Sequence, residues 1–96
     1  MAKELMSRSY RTIEFTDSFF ETLTSSDFNK KEQMQLLKAL RLFSENESHP
    51  SLRVHQLKGD RKGSWAIRAS RELRITFERN QDGRPRLLTC SRHYDR

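Results

Sequence analysis

The chain has 96 residues, 33% of them hydrophobic and 33% charged, with a formal net charge of +6. That size sets one small domain with a modest core, and the single cysteine, Cys90, excludes a disulfide framework. No apolar run approaches the roughly 20 residues of a membrane span, and MAKELMSRSYR lacks the apolar centre of a secretory signal, so a cytoplasmic protein with no membrane partner is expected.

In chain order, residues 1–9 read as a flexible lead-in and residues 10–96 as one domain. Tyr10 to Phe15 alternates as a short strand. Thr16-Asp17-Ser18 offers N-cap oxygens, and Ser18 with Glu21 has capping-box spacing, which predicts a short helix covering Phe19, Phe20 and Leu23. Ser25-Ser26-Asp27 ends that helix and caps a second one from Phe28 to about Ser44, free of Gly and Pro. Met34, Leu37, Leu40 and Phe43, with Leu36 alongside, read as its core stripe, leaving Lys30, Lys31, Lys38 and Arg41 in water. Asn46 to Pro50 closes the helical part.

Strand-like segments follow. Leu52–Lys58 is the first. Ser64–Ser70 sets Trp65, Ile67 and Ala69 against Ala66, Arg68 and Ser70, and Leu73–Glu78 sets Leu73, Ile75 and Phe77 against Arg74, Thr76 and Glu78. Asn80-Gln81-Asp82-Gly83 is a turn, and Arg86–Arg92 is the last strand. The order β-α-α-β-β-β-β predicts an α+β fold, with two N-terminal helices packed on one face of a small, mainly antiparallel twisted sheet.

The charge is regional: residues 51–96 carry +7 and residues 1–50 carry −1. A one-sided basic region fits a phosphate-rich partner, and it also fits the solvated surface of a small basic protein. His49, His55 and His93 have no metal-ligand spacing with one another or with Cys90, and Gly59, Gly63 and Gly83 match no nucleotide-binding loop; neither a metal nor another cofactor is expected. Arg68 and Arg74 point away from the apolar faces of neighbouring strands. They could grip a phosphate together, or serve as ordinary surface charge paired with Glu72 or Glu78. His55 and His93 are imidazoles, the side chain suited to proton transfer near neutral pH. Two imidazoles with guanidinium can cleave RNA through its own 2′-hydroxyl.

At these residues the chain resembles the RelE/ParE superfamily of type II toxin–antitoxin toxins, and within it the YoeB-like mRNA interferases. The carriers are Leu57-Lys58-Gly59, Gly63-Ser64-Trp65, Arg68, Arg74-Ile75-Thr76-Phe77 and Cys90-Ser91-Arg92-His93-Tyr94. The resemblance implies a ribosome-dependent endoribonuclease that cleaves translated mRNA, with a cognate antitoxin as protein partner, as a monomer or a small toxin–antitoxin hetero-oligomer. It assigns the scissile phosphate to Arg74, the general acid to His93, base stacking or phosphate contact to Tyr94, and RNA backbone contact to Lys58. Arg61, Lys62 and Arg68 are expected to add to the RNA-binding surface. His55 stands where YoeB-like toxins place a glutamate base, three residues before the lysine; histidine can serve as a base, and His55 is the residue expected in that role if the chain supplies it. Asp95-Arg96 extends past the family's His-Tyr ending. The alternatives are a ParE-like toxin that inhibits DNA gyrase and cleaves nothing, disfavoured by the retained His-Tyr ending, and a catalytically inactive relic that binds nucleic acid or protein.

Overall fold

The computed structural model describes residues 12–58 and 63–92. The lead-in at residues 1–9, Tyr10, Arg61, Lys62, His93 and Tyr94 lie outside the described residues. In chain order come β1 (Glu14–Phe15), α1 (Asp17–Leu23), α2 (Lys30–Glu45), a 3-10 turn (Pro50–Leu52), β2 (His55–Gln56), β3 (Ser64–Arg68), β4 (Leu73–Arg79) and β5 (Pro85–Arg92). The strands form one sheet in the order β1-β5-β4-β3-β2, with β1 parallel to β5 and the other pairs antiparallel. The expected α+β architecture is therefore what forms: two helices on a five-stranded, mostly antiparallel sheet.

Local chemistry explains where elements begin and end, and it corrects several expected boundaries. Helix α1 is capped by Thr16, whose hydroxyl accepts from the Phe19 N–H (3.1 Å) and donates to the Leu87 carbonyl (2.8 Å). Ser18 is not the cap; its hydroxyl donates to the Leu88 carbonyl (2.6 Å). Helix α2 starts at Lys30 rather than Phe28, because Asn29 and Glu32 form a reciprocal capping box. The expected strand Leu52–Lys58 shrinks to His55–Gln56, since Pro50–Leu52 winds into a turn capped by the His49 ring and Arg53 takes a left-handed conformation (φ 44, ψ 51). One further bond, Leu57 N–H to the Ser64 carbonyl (2.8 Å), carries the β2–β3 pairing past the strand end.

Register assigns every sheet residue to a face, since directly opposed residues lie on the same side. One face carries Gln56, Trp65, Phe77 and Leu87 in one row and Ile67, Ile75 and Cys90 in the next. Both helices cover it: Phe43 of α2 meets Phe77 at 5.0 Å between ring centroids, and Thr22 of α1 accepts from the Cys90 N–H (2.8 Å). Between the pairs Thr76–Thr89 and Phe77–Leu87, β5 has one extra residue, Leu88. This bulge shifts the alternation by one, returning Leu87 to the covered face. The Leu88 carbonyl takes the Ser18 hydroxyl.

The core stripe of α2 also differs from the expected one. Leu36, Ala39, Leu40 and Phe43 are buried, whereas Met34 is 66% and Leu37 45% exposed. At about 100° per residue, Met34 and Phe43 stand half a turn apart, while Leu36 and Phe43 nearly eclipse. A strict three-residue repeat cannot stay on one face over that length.

Candidate active site

The face of the sheet turned away from the two helices carries the row His55–Ala66–Thr76–Thr89 and, one step along, the row Arg68–Arg74–Ser91. Arg68 and Arg74 are direct partners in the β3–β4 ladder. Cβ atoms of such pairs lie about 4.5–5.5 Å apart, and like charges so placed are unfavourable without a shared counter-charge. The alternation seen in sequence therefore does set the two arginines opposite each other on one face. Of the carboxylates expected as alternative partners, Glu78 binds Arg86 (3.4 Å), its own cross-strand neighbour. That exposed ion pair contributes little to stability, and it occupies Glu78 two rows away from Arg68 and Arg74.

Backbone holds the head of Arg68. Its Nε donates to the Ser70 carbonyl (3.2 Å). Ser70 itself is fixed in the β3–β4 turn, where its hydroxyl accepts from the Glu72 (3.3 Å) and Leu73 (3.2 Å) N–H groups.

His55 joins these arginines. With Arg53, Arg68, Arg71 and Arg74 it lines one cleft of about 300 Å³, and no carboxylate is among the described lining residues. Its Nδ1 lies 2.8 Å from the Arg53 carbonyl. A carbonyl oxygen can only accept, so Nδ1 carries the hydrogen and the neutral ring keeps its lone pair on Nε2. The backbone thus sets the tautomer that a proton acceptor at Nε2 requires.

Two hydroxyls complete the face. Thr76 Oγ1 and Ser91 Oγ, both shielded from solvent, meet no hydrogen-bond partner among the described residues. A buried hydroxyl left unpaired costs about 1–3 kcal/mol, and both lie on the face and in the rows of the two arginines and His55. Cys90, on the opposite face, is not available as a nucleophile: burial pushes its thiol up to about 11.

Of the residues singled out in sequence, then, His55, Arg68 and Arg74 come together. Lys58 is exposed just past β2 and does not line the cleft. Arg61, Lys62, His93 and Tyr94 lie outside the described residues. Arg92, the last described residue, is clamped from α2 and its approach: it forms a two-pronged pair with Glu32, donates to the Asp27 carbonyl (2.6 Å) and lies over the Phe28 ring (5.3 Å). The Arg92 guanidinium, with the Asn29 N–H, holds the Glu32 carboxyl below its ordinary value. Sequence reasoning missed Arg53 and Arg71, because neither lies in a strand of the alternating pattern. It also missed Ser91, whose place beside Arg74 depends on β5 register. Among the described residues, no three His, Cys, Asp or Glu side chains gather as a metal-binding group, and no helix is long and apolar enough to cross a membrane.

No protein-family model matches the chain, and no curated protein matches its sequence. Solved structures do match. The YoeB/ParE toxin from Agrobacterium tumefaciens is 19% identical with a TM-score of 0.65, the match covering 85% of this chain and 98% of that one. YafQ from E. coli strain BL21(DE3) is 16% identical with a TM-score of 0.68, covering 84% and 91%. The YoeB–YefM complex from Staphylococcus aureus gives 23% identity and a TM-score of 0.62, covering 85% and 95%. The two helices, the five-stranded sheet and these matches together establish that the chain has the fold of the RelE/YoeB-like toxins.

Proposed function

We propose that this chain is the toxin of a type II toxin–antitoxin system and acts as a metal-independent, ribosome-dependent endoribonuclease on translated mRNA. The observation that carries the reading is the Arg68–Arg74 pair, opposed across β3 and β4 in one cleft with His55. In this mechanism the Nε2 lone pair of His55 takes the proton of the RNA 2′-hydroxyl. The 2′-oxygen bonds to phosphorus, and the paired guanidiniums take up the charge that grows on the phosphorane oxygens. The bond from phosphorus to the 5′-oxygen breaks, leaving a 2′,3′-cyclic phosphate, and His93 gives its proton to the departing oxygen. Tyr94 stacks on a base or contacts phosphate, while Lys58, Arg61 and Lys62 hold the RNA backbone. The hydroxyls of Thr76 and Ser91, which meet no hydrogen-bond partner among the described residues, support the reading, since polar substrate atoms would satisfy them.

The same proposal includes a cognate antitoxin and a cytoplasmic site of action. YoeB–YefM and DinJ–YafQ complexes, solved for proteins of this fold, support the antitoxin. Purified protein incubated with programmed ribosomes tests the activity. The wild type should cut mRNA, and Arg74→Ala should lose about 10²–10³-fold in rate, as expected when one positioned charge-stabilising donor is removed. Undiminished cutting by a folded Arg74→Ala protein removes Arg74 from the chemistry. Growth arrest without any mRNA cutting, with loss of DNA supercoiling instead, replaces the reading with gyrase inhibition.

A further inference from the structure

Arg53 and Arg71 line the same cleft as the proposed chemistry, and neither side chain has a part in it. Together with Arg68 and Arg74 they place four arginines around about 300 Å³, with no carboxylate among the described lining residues. A single scissile phosphodiester carries one negative charge, which the Arg68–Arg74 pair can bind by itself. Two further cations at the rim are therefore in excess of what the reacting phosphate needs, and their mutual repulsion favours a second anion beside the first.

Both extra arginines are mounted on fixed backbone. Arg53 closes the Pro50–Leu52 turn, donating its N–H to the Pro50 carbonyl (3.2 Å) with a left-handed φ of 44°. That conformation is uncommon for a residue with a Cβ, and here the Arg53 carbonyl also receives the Nδ1 hydrogen of His55. One residue thus orients the imidazole through its backbone and contributes a cation through its side chain. Arg71 follows Ser70 in a turn tied by two bonds to the Leu73 carbonyl, from Ala69 (2.8 Å) and Ser70 (3.2 Å) N–H groups. The long side chains are exposed and the positions that launch them are set.

We propose that Arg53 and Arg71 form a second phosphate subsite, which takes the phosphodiester next to the one held by Arg68 and Arg74. The ligand class is single-stranded RNA spanning two consecutive phosphates. The substrate identity rests on the endoribonuclease reading; the subsite itself is a statement about phosphate binding and has its own readout.

The test is binding of a cleavage-resistant dinucleotide, 2′-deoxy at the first ribose, without a terminal phosphate or with one added at its 5′ or 3′ end. Fluorescence anisotropy should show that one of the phosphorylated forms binds the wild type at least about tenfold more tightly than the bare dinucleotide, the scale of one charge-assisted hydrogen bond. Which end gives the gain identifies the side of the cleavage point. The double variant Arg53→Gly/Arg71→Gln should lose that gain and bind the bare dinucleotide as the wild type does. Glycine adopts positive φ readily, so the backbone that holds His55 is kept. The slope of log affinity against log salt for the phosphorylated form should become shallower by about 0.7 for each phosphate the variant no longer neutralises. Should the double variant fail to fold, Arg71→Gln alone, in an exposed turn, should lose part of the gain. Equal binding of all three dinucleotides by the wild type overturns the subsite, as does an undiminished gain in the folded variants. A gain that is present in a wild type unable to cut ribosome-bound mRNA supports the subsite and overturns the endoribonuclease reading.

Discussion

The two faces of the sheet are built from alternate residues of the same strands and have opposite uses for arginine. On the covered face, Arg79 and Arg92 act as pins at its edges. Arg79 pairs with Glu47 and lies over the rings of Trp65 (5.9 Å) and Phe77 (5.4 Å), and Arg92 pairs with Glu32 over Phe28. Each places its charge on a carboxylate and its plane on an aromatic ring. On the face away from the helices, Arg68 and Arg74 are set directly opposite each other in the strand ladder. The helix-covered face uses guanidinium to join elements, and the other face sets two arginines in one row. Alternation decides the face for Arg68, Arg74 and Arg79 in β3 and β4, and the Leu88 bulge resets it for Arg92 in β5.

Substitutions can break that contrast. The largest expected effect is on the covered face: Phe77→Ala, at a fully buried ring packed on Phe43 and Trp65, should cost about 3–5 kcal/mol in a denaturant titration. That is a large share of the roughly 5–15 kcal/mol available to a domain, so a small loss would show that the core does not centre on β4. On the other face, His55→Gln should lower ribosome-dependent cleavage by about 10²–10⁴-fold while leaving the unfolding midpoint in place. A shifted midpoint with normal cleavage would make His55 a structural residue.

Smaller effects sharpen the comparison at the edge of the covered face. Arg92 and the Asn29 N–H depress the carboxyl of Glu32 from its ordinary 4.5. A depressed carboxyl adds stability above its ordinary value and loses it as pH falls through the lower, folded value. Melting curves should therefore place Glu32→Gln below the wild type at neutral pH, and the two should converge in acid. A constant gap at every pH would mean that the charge of Glu32 contributes nothing. The smallest effect should come from Leu37→Gln, on the outer side of α2, within about 0.5 kcal/mol of the wild type by the same titration. A loss comparable with a core truncation would mean that this side of α2 is covered in solution.

Strand identity was legible in the sequence because alternation is a two-state signal, and β3 and β4 show it over whole strands. The opposition of Arg68 and Arg74 was legible for the same reason. Helix phase was less so: a repeat of three placed Met34 and Leu37 in the core, where the 3.6-residue turn puts Leu36 and Ala39. The Asn29–Glu32 capping box was present in the sequence but masked by Asp27 and Ser26, which also suit a cap. Arg53, Arg71 and Ser91 were out of reach. Their positions depend on a left-handed residue, a turn and strand register across 17 residues of separation between Arg74 and Ser91, none of which leaves a local trace.

The parallel pairing of β1 with β5 bears on the order in which the molecule can assemble. Thr16 and Ser18, near the start of the described chain, bond to the carbonyls of Leu87 and Leu88 across 71 and 70 residues. Strand β5 sits between β1 and β4, so among the described strands β1 has no pairing partner until β5 has been synthesised. Contacts this distant in sequence slow folding, because the intervening loop must close before they form. During translation, the β2–β3–β4 meander can pair on its own, but the Arg68–Arg74 row lacks Ser91 and the Arg92–Glu32 pin has not formed. A nascent chain stopped before Pro85 would expose the edge of β4 and the apolar side of α1, as a substrate for chaperones rather than a folded domain.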